Sequence, residues 1–567
     1  MTWTAATPLR RVVALGVLAL LVMAPALVLG AGQSDSALYN IVWGTQFAAQ
    51  WPGDLYPRWL PDSFGGRGAP VFLFYPPLAF MLDAAVNTLT AGAIPVRWRL
   101  AITAWLLLWF CGVTMQAWLG RRVTPGVALT AGAALILAPY HLLDQYWRGA
   151  LAEFAAFAVL PLLLMGTEVA ARSWRGVPWL ALGLATLIAT HLPSAVLAGM
   201  TVVPAVFCAS TPSWHWRVAF GAALRSGLAG VLGLALSAVY LLPALLMQGS
   251  ASFALLWRAF FQPTPWLLTS FVVWPAMPLM LVVLALASAH LFGTGRLLLA
   301  LRGASARLPS ARLPTARLPR ALALAAAFSV LLLSGLIPFV WDIPLLAKVQ
   351  FPWRLLCVIE VATIGAFALA ASSVPGRTMR RTMLVMAVLS GPAVALIGYE
   401  CVANALQATA WARDKLPVDL AGTPDATEYL PAGIPYDVAR SYSRIETPLS
   451  PPARTVSCMP VATRCERMAD GIIMVDAPAP VTVMVQTFYF PGWQARTVDG
   501  AAIPAYPATA FRILGFDMPA GITRFRTERV QTAPERIGSL CSWAALVIVV
   551  GWLAAARWRI FGARQDV

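Results

Sequence analysis

Asp35 stands just beyond the apolar run at residues 12–30, so its carboxylate is expected at a membrane surface. There it could act as a general base, taking the proton of an acceptor hydroxyl. Ser34-Asp35-Ser36 also precedes an amphipathic stretch, and a helix cap is the other reading. The chain after it adds Asp54, Tyr56-Pro57-Arg58-Trp59, Asp62, Arg67 and Phe72-Leu73-Phe74-Tyr75. A second set runs from Tyr140-His141 through Asp144 to Arg148-Gly149-Ala150-Leu151-Ala152-Glu153. Arg148 could grip a lipid-linked phosphate with its planar fork, or simply pair with Glu153. His191, in Thr190-His191-Leu192-Pro193-Ser194, either caps a helix or belongs to a site. Lys348-Val349-Gln350-Phe351-Pro352-Trp353-Arg354 gathers two cations and two aromatics before an apolar run. Those residue types suit an interfacial anchor and equally a pocket for a phosphate head group.

The elements that must position these residues are membrane helices. Of 567 residues, 59% are hydrophobic and 11% charged, against about 25% charged in a soluble domain. The formal net charge of +17 sits in short loops such as Arg121-Arg122, Arg172/Arg175 and Arg377/Arg380/Arg381. The positive-inside rule accounts for that placement, so nucleic acid is not an expected partner. Apolar runs long enough for a core of about 30 Å fall near 12–30, 99–119, 124–140, 151–171, 178–191, 195–209, 222–246, 266–291, 321–341, 353–372, 382–402 and 539–556. Loop charge and parity then predict about twelve spans, both termini cytoplasmic, and a long first outer loop over 32–98. Residues 71–90 carry Tyr75-Pro76-Pro77, Asp83 and Asn87, and are read as a re-entrant or surface-lying helix. The thrice-repeated Ala-Arg-Leu-Pro within 302–320 reads as an irregular basic linker.

Residues 403–535 change character. Alternation over 481–490, 511–516 and 523–530, with a hairpin dipeptide at Asp499-Gly500, predicts a small β-sandwich outside the membrane. It is tethered by the last span and tail at 536–567, the transmembrane module covering 1–402. Cys458 and Cys465 are the disulfide candidates of that compartment. Walker A and GxGxxG signatures are absent, as is any cysteine–histidine cluster of zinc spacing. No repeated halves with paired broken helices are evident, which argues against a secondary transporter.

Read in order, several strings carry a family resemblance: Asp35, Leu55-Tyr56-Pro57-Arg58-Trp59, Gly68-Ala69-Pro70-Val71-Phe72-Leu73-Phe74-Tyr75-Pro76-Pro77, Arg148-Gly149-Ala150-Leu151-Ala152-Glu153, Thr190-His191-Leu192-Pro193-Ser194, Gln350-Phe351-Pro352-Trp353-Arg354 and Tyr489-Phe490-Pro491-Gly492-Trp493. Over nearly its full length the chain resembles bacterial multi-pass proteins labelled "6-pyruvoyl-tetrahydropterin synthase-related", whose layout is similar to class C (GT-C) membrane glycosyltransferases. The pterin label implies a zinc enzyme with clustered histidines, and the four histidines here are scattered, so that activity is not expected. The GT-C layout implies a polyprenyl-phosphate-sugar donor and an envelope glycan, lipid or protein acceptor on the outer face of a bacterial inner membrane. It also implies Asp35 as the catalytic base. Arg58, Arg148 and Arg354 are then the phosphate partners, with Tyr75, His141, Glu153, His191 and Gln350 in the binding site. Asp35 is followed by Ser36 rather than a second acid, so no metal or other cofactor is indicated. The alternative is a non-catalytic envelope protein that handles or flips lipid-linked glycans. The catalytic reading requires Asp35, His191 and Arg354 to converge in one cavity that opens to lipid.

Overall fold

A chain this apolar must satisfy its backbone polar groups internally, and helices do that segment by segment. The computed structural model describes residues 8–32, 34–257, 261–270, 277–305, 317–372, 376–415, 425–435 and 455–562. Among them, nine helices are long and apolar enough to cross a membrane, or ten if the bent pair Leu192–Met200 and Val202–Ser210 forms one span. The protein is a multi-pass membrane protein.

The difference from twelve has local causes. The helix Val177–Thr190 has 14 residues, about 21 Å at 1.5 Å per residue, which falls short of the hydrocarbon core. The expected span at 195–209 bends by 45° at Thr201. That at 222–246 is kept but shifted: Trp216–Leu236 is long and apolar enough to cross, and Ala238–Leu246 follows the break at Ser237. The expected span at 266–291 begins later, as the helix Met277–Ser305. The one at 382–402 lies within the helix Gly376–Lys415, whose 40 residues overrun the expected domain boundary at 402. Residues 71–90 form the short helices Val71–Phe74 and Leu78–Leu89. Asp83 on the latter is fully buried against Arg99, which grips it through Nε and Nη2 at 2.9–3.0 Å. Residues 306–316 of the basic repeat lie outside the described residues.

The first loop, 32–98, is itself folded. Its helix Ala37–Gln50 buries Trp43 and Phe47 against Phe72 and Phe80, giving a second core beside the main helical one.

The C-terminal region is a two-sheet sandwich of nine antiparallel strands. They are β1 (Val456–Met459), β2 (Arg464–Arg467), β3 (Ile473–Ala477), β4 (Val481–Phe488), β5 (Trp493–Thr497), β6 (Ala502–Pro504), β7 (Tyr506–Ala508), β8 (Ile513–Met518) and β9 (Gly521–Arg529). The sheet orders are β1-β4-β8-β7 and β2-β3-β9-β5-β6. Period-two burial along β4 aims Val481, Val483 and Val485 at Ile473, Val475, Phe516 and Phe525. Asp499-Gly500 turns β5 into β6, with Gly500 at φ +90°. Cys458 on β1 and Cys465 on β2 form a disulfide that joins the two sheets.

This domain rests on the first loop and on the last helix, Ala533–Gly562. Phe488 donates its backbone N–H to Arg67 O at 2.8 Å, and Trp59 meets Trp493 edge-on at 5.4 Å. Glu535 caps the start of that helix: its carboxylate accepts the Thr532 N–H (2.9 Å) and hydroxyl (2.7 Å). The same carboxylate takes Arg529 from the sheet and Arg58 from the first loop, so three parts of the chain meet on one buried acid.

Candidate functional site

The site grows out of a break between two membrane helices. Pro125–Ile136 ends near Ala138; the chain then makes one turn over Pro139–Leu143 and a wide π turn over Asp144–Arg148. Gly149 stops the turn at φ +59°, and Leu151–Ala170 begins. A π turn projects side chains on a register an α-helix cannot hold, and such turns cluster at functional sites. Here it turns Asp144 and Arg148 inward.

The same glycine admits the loop that carries Asp35. A Cβ at Gly149 would lie 2.0 Å from Ser34 Oγ and 3.1 Å from Ser34 Cβ. Ser36 N–H donates to Arg148 O at 2.9 Å, Asp35 N–H to Trp147 O at 3.4 Å, and Asn40 Nδ2 to Gly149 O at 2.6 Å. Asp35 is therefore keyed to Arg148 through main chain. Gly149→Ala should cost about 2–3 kcal/mol of stability, from left-handed strain plus overlap with Ser34. Ser34→Gly in the same chain should recover the overlap part, read as a thermal-unfolding shift. Equal instability in the single and double variants would mean the two segments are not keyed.

Arg148 is the hub. Its Nη1 donates to Tyr140 Oη (2.8 Å), Asp144 Oδ1 (2.5 Å) and Glu153 Oε2 (2.7 Å). Tyr140 in turn donates its hydroxyl to Glu153 Oε1 at 2.7 Å. Arg354 brings its Nε to 3.4 Å from Glu153 Oε2 while Nη1 donates to Val349 O at 2.6 Å. Its other terminal nitrogen makes no hydrogen bond among the described residues. His191, at the joint between Val177–Thr190 and Leu192–Met200, has Nδ1 2.7 Å from Ser194 Oγ. It sits within electrostatic range of Glu153, Arg354 and Arg148. Burial pushes the Tyr75 phenol up to about 12, with Arg354 and Arg148 acting against the shift and Glu153 with it. Gln350 holds a non-glycine φ of +69°, and its amide Nε2 is buried without a partner among the described residues. Strained backbone of this kind costs about 1–3 kcal/mol and survives where its surroundings impose it. Asp35 reaches solvent, yet burial on its inner side raises its pKa above the usual carboxylate range, Arg148 opposing.

Asp35, Tyr75, Arg148, Glu153, His191 and Arg354 thus form one neighbourhood, while two expected members lie elsewhere. His141 is fully buried, stacked on Phe157 (4.0 Å) and Phe154 (4.3 Å), with its ring nitrogens 3.2 Å from Leu135 O and Phe154 O. It is a packed core side chain with no face for a substrate. Arg58 is bound to Glu535 and Val239 O at the base of the sandwich, so its charge is already matched. Arg148 also departs from expectation: its guanidinium organises two carboxylates instead of standing free for a phosphate. Asp144, part of the second set of residues in the sequence, joins the site through its ion pair with Arg148. Among the described residues, no group of three or more His, Cys, Asp or Glu side chains could hold a metal ion.

An apolar cavity of about 530 Å³ lies among helices that carry members of this neighbourhood, although none of Asp35, Tyr75, Arg148, Glu153, His191 and Arg354 lines it. Leu78, Leu106, Phe110, Val113 and Val159 line it; Ala155 and Thr190 form the wall nearest Glu153 and His191 in sequence, and Val12 lies toward the other end of its helix.

No family model and no curated protein matches the sequence. Among solved structures, the chain is similar to the cryo-EM structure of arabinofuranosyltransferase AftD from Mycobacteria, at 19% identity and a TM-score of 0.44 over 70% of this chain. A mutant of that enzyme gives a TM-score of 0.45. The chain spans 27% of the mycobacterial protein's length. It is also similar to ArnT from Cupriavidus metallidurans bound to undecaprenyl phosphate, at 16% identity and a TM-score of 0.40 over 72% of this chain and 78% of that one. At this degree of likeness, the side chains described above carry the functional reading.

Proposed function

We propose that the protein is a membrane glycosyltransferase of the GT-C kind, moving a sugar from a polyprenyl-phosphate donor to an envelope acceptor hydroxyl on the outer face of the inner membrane. The observation that carries this reading is an apolar cavity among the helices that also present Glu153 and His191, together with a pair of cations, Arg148 and Arg354, near an exposed carboxylate. An isoprenoid tail fits the first, a phosphate the second, and a proton acceptor completes the reaction. Arg354, with an uncommitted edge, and the buried amide of Gln350 are the donors offered to the phosphate. Asp35 accepts the proton of the acceptor hydroxyl as its oxygen attacks the anomeric carbon. The bond from that carbon to the phosphate oxygen breaks, and polyprenyl phosphate leaves with the electron pair. Attack from the face opposite the leaving group inverts the anomeric centre.

Binding of radiolabelled undecaprenyl phosphate to the full chain in nanodiscs tests the first half of this scheme. Arg354→Gln should weaken it by about tenfold or more, while Arg354→Lys keeps part of the affinity. An affinity that ignores residue 354, in a variant with unchanged thermal unfolding, would remove the phosphate site.

A further inference from the structure

Helix Leu151–Ala170 carries Glu153 into the site at its first turn and ends among arginines at its last. Arg122, on the turn after Val96–Leu119, donates Nε (2.8 Å) and Nη2 to Glu168 Oε2. Trp118 Nε1–H donates to the other carboxylate oxygen at 2.7 Å. Arg225, on Trp216–Leu236, caps the helix by donating Nε to Ala170 O (2.8 Å) and Nη2 to Ala171 O (2.7 Å). Arg172, one turn beyond Glu168, donates Nε to Ser210 O at 3.0 Å. Arg121 stands beside Arg122 and is exposed. Four cations thus gather round one carboxylate, which Arg122 and Trp118 already occupy.

The groups left unmatched at this end are donors. The Arg121 guanidinium and both Nη groups of Arg172 have no hydrogen bond or ion pair among the described residues. Ser210 is 2% exposed, and its hydroxyl is buried without a partner among them too. Burial and the charge of Arg122 push the Arg172 guanidinium below its ordinary range, Glu168 opposing and Arg121 adding to the fall. Keeping cations on one side of a bilayer needs only scattered loop charges. Drawing them onto one helix turn adds repulsion, which a bound anion offsets.

The cluster also lies at a membrane boundary. Trp174 is exposed and stacks on Trp552 of the last helix at 6.2 Å, and the Arg225 guanidinium lies over the Trp174 ring at 6.0 Å. Trp552 is 17 residues past Glu535, about 26 Å at 1.5 Å per residue. That approaches one hydrocarbon core of about 30 Å, so the arginines stand at the boundary opposite the sandwich. Exposed Trp174 and Trp179 suit that level. We infer that Arg121, Arg172 and Ser210 bind the phosphate of an anionic phospholipid there. The guanidinium groups and the hydroxyl donate to the phosphate, while the indoles meet the glycerol and upper acyl chains. A zwitterionic lipid brings an ammonium that the same cations repel. This inference is independent of the glycosyltransferase reading.

Native mass spectrometry of the full chain in detergent, titrated with phosphatidylglycerol, phosphatidylethanolamine or inorganic phosphate, tests the site. Phosphatidylglycerol should bind about tenfold or more tighter than phosphatidylethanolamine. Arg121→Gln, whose native side chain has no bond to lose, should weaken it about fivefold. Adding Arg172→Gln should bring the loss to about tenfold or more, while Arg172→Lys keeps part of the affinity. Arg217→Gln, on the same helix as Arg225 but about 12 Å nearer its start, should change it by less than about twofold. Equal affinity for the two lipids overturns the site, as does indifference to Arg121→Gln. An equal loss in Arg217→Gln would mean diffuse surface charge and overturns it too. Inorganic phosphate that displaces phosphatidylglycerol at equal concentration would overturn the lipid as its occupant.

Discussion

Asp35→Asn should lower sugar transfer by about a thousandfold while leaving undecaprenyl phosphate binding within about twofold of the wild type. The amide keeps the size and the two main-chain bonds that key the loop to Trp147 and Arg148, so the geometry survives. What disappears is the proton acceptor, and a well-placed general base is worth about 10²–10⁴ in rate. The pH dependence carries a second signature. The pKa of Asp35 is raised by burial, so the base is lost as pH falls through a value above the usual carboxylate range. The acid limb of the wild-type rate should sit there, and Asp35→Asn should have no such limb. Membranes bearing the variant are assayed for turnover of lipid-linked sugar across that range. Undiminished turnover would remove Asp35 as the base.

How far the sequence reveals this site depends on how local each contact is. Arg148 and Glu153 are close in the chain, and their pairing was open to inference; the π turn that adds Asp144 to the same guanidinium was not, because no residue type announces a wide turn. The convergence of Asp35 on Arg148 rests on Gly149, whose neighbour Ser34 lies more than a hundred positions away. His141 misleads for the opposite reason. Beside Tyr140 and Asp144 it reads as an interfacial polar group, and only the packing of Phe154 and Phe157 from the next helix makes it core. Arg58 finds Glu535 at a separation of 477 residues, beyond the reach of any local pattern. The sandwich was the more legible half, because alternation within β4 encodes which face is buried. The crossing order of its strands is encoded by no such pattern. The count of spans departs from twelve where Leu192–Met200 and Val202–Ser210 bend at Thr201, since hydropathy measures apolar length and is blind to a break in direction.

These contacts imply that the hub of the site is also a fault line for stability, which gives the second large effect. Arg148→Met should destabilise the protein by about 3–5 kcal/mol, because it strands Asp144 and Glu153, both essentially unexposed, without the cation that neutralises them. Arg354 cannot take over. It reaches only Glu153, at 3.4 Å, and its Nη1 is held by Val349 O. If the cost comes from an uncompensated charge, removing a charge should reverse part of it. Arg148→Met combined with Glu153→Gln should therefore be more stable than the single Arg148→Met, although two native side chains are gone. If the cost came from lost packing around the guanidinium stem, the second substitution would add its own penalty instead. Thermal unfolding of the wild type, both single variants and the double variant gives the interaction energy directly. A double variant at or below the sum of the two losses would refute the charge account. A double variant that regains stability, yet binds undecaprenyl phosphate through Arg354 as before, would separate the two cations: Arg148 builds the site, and Arg354 meets the donor.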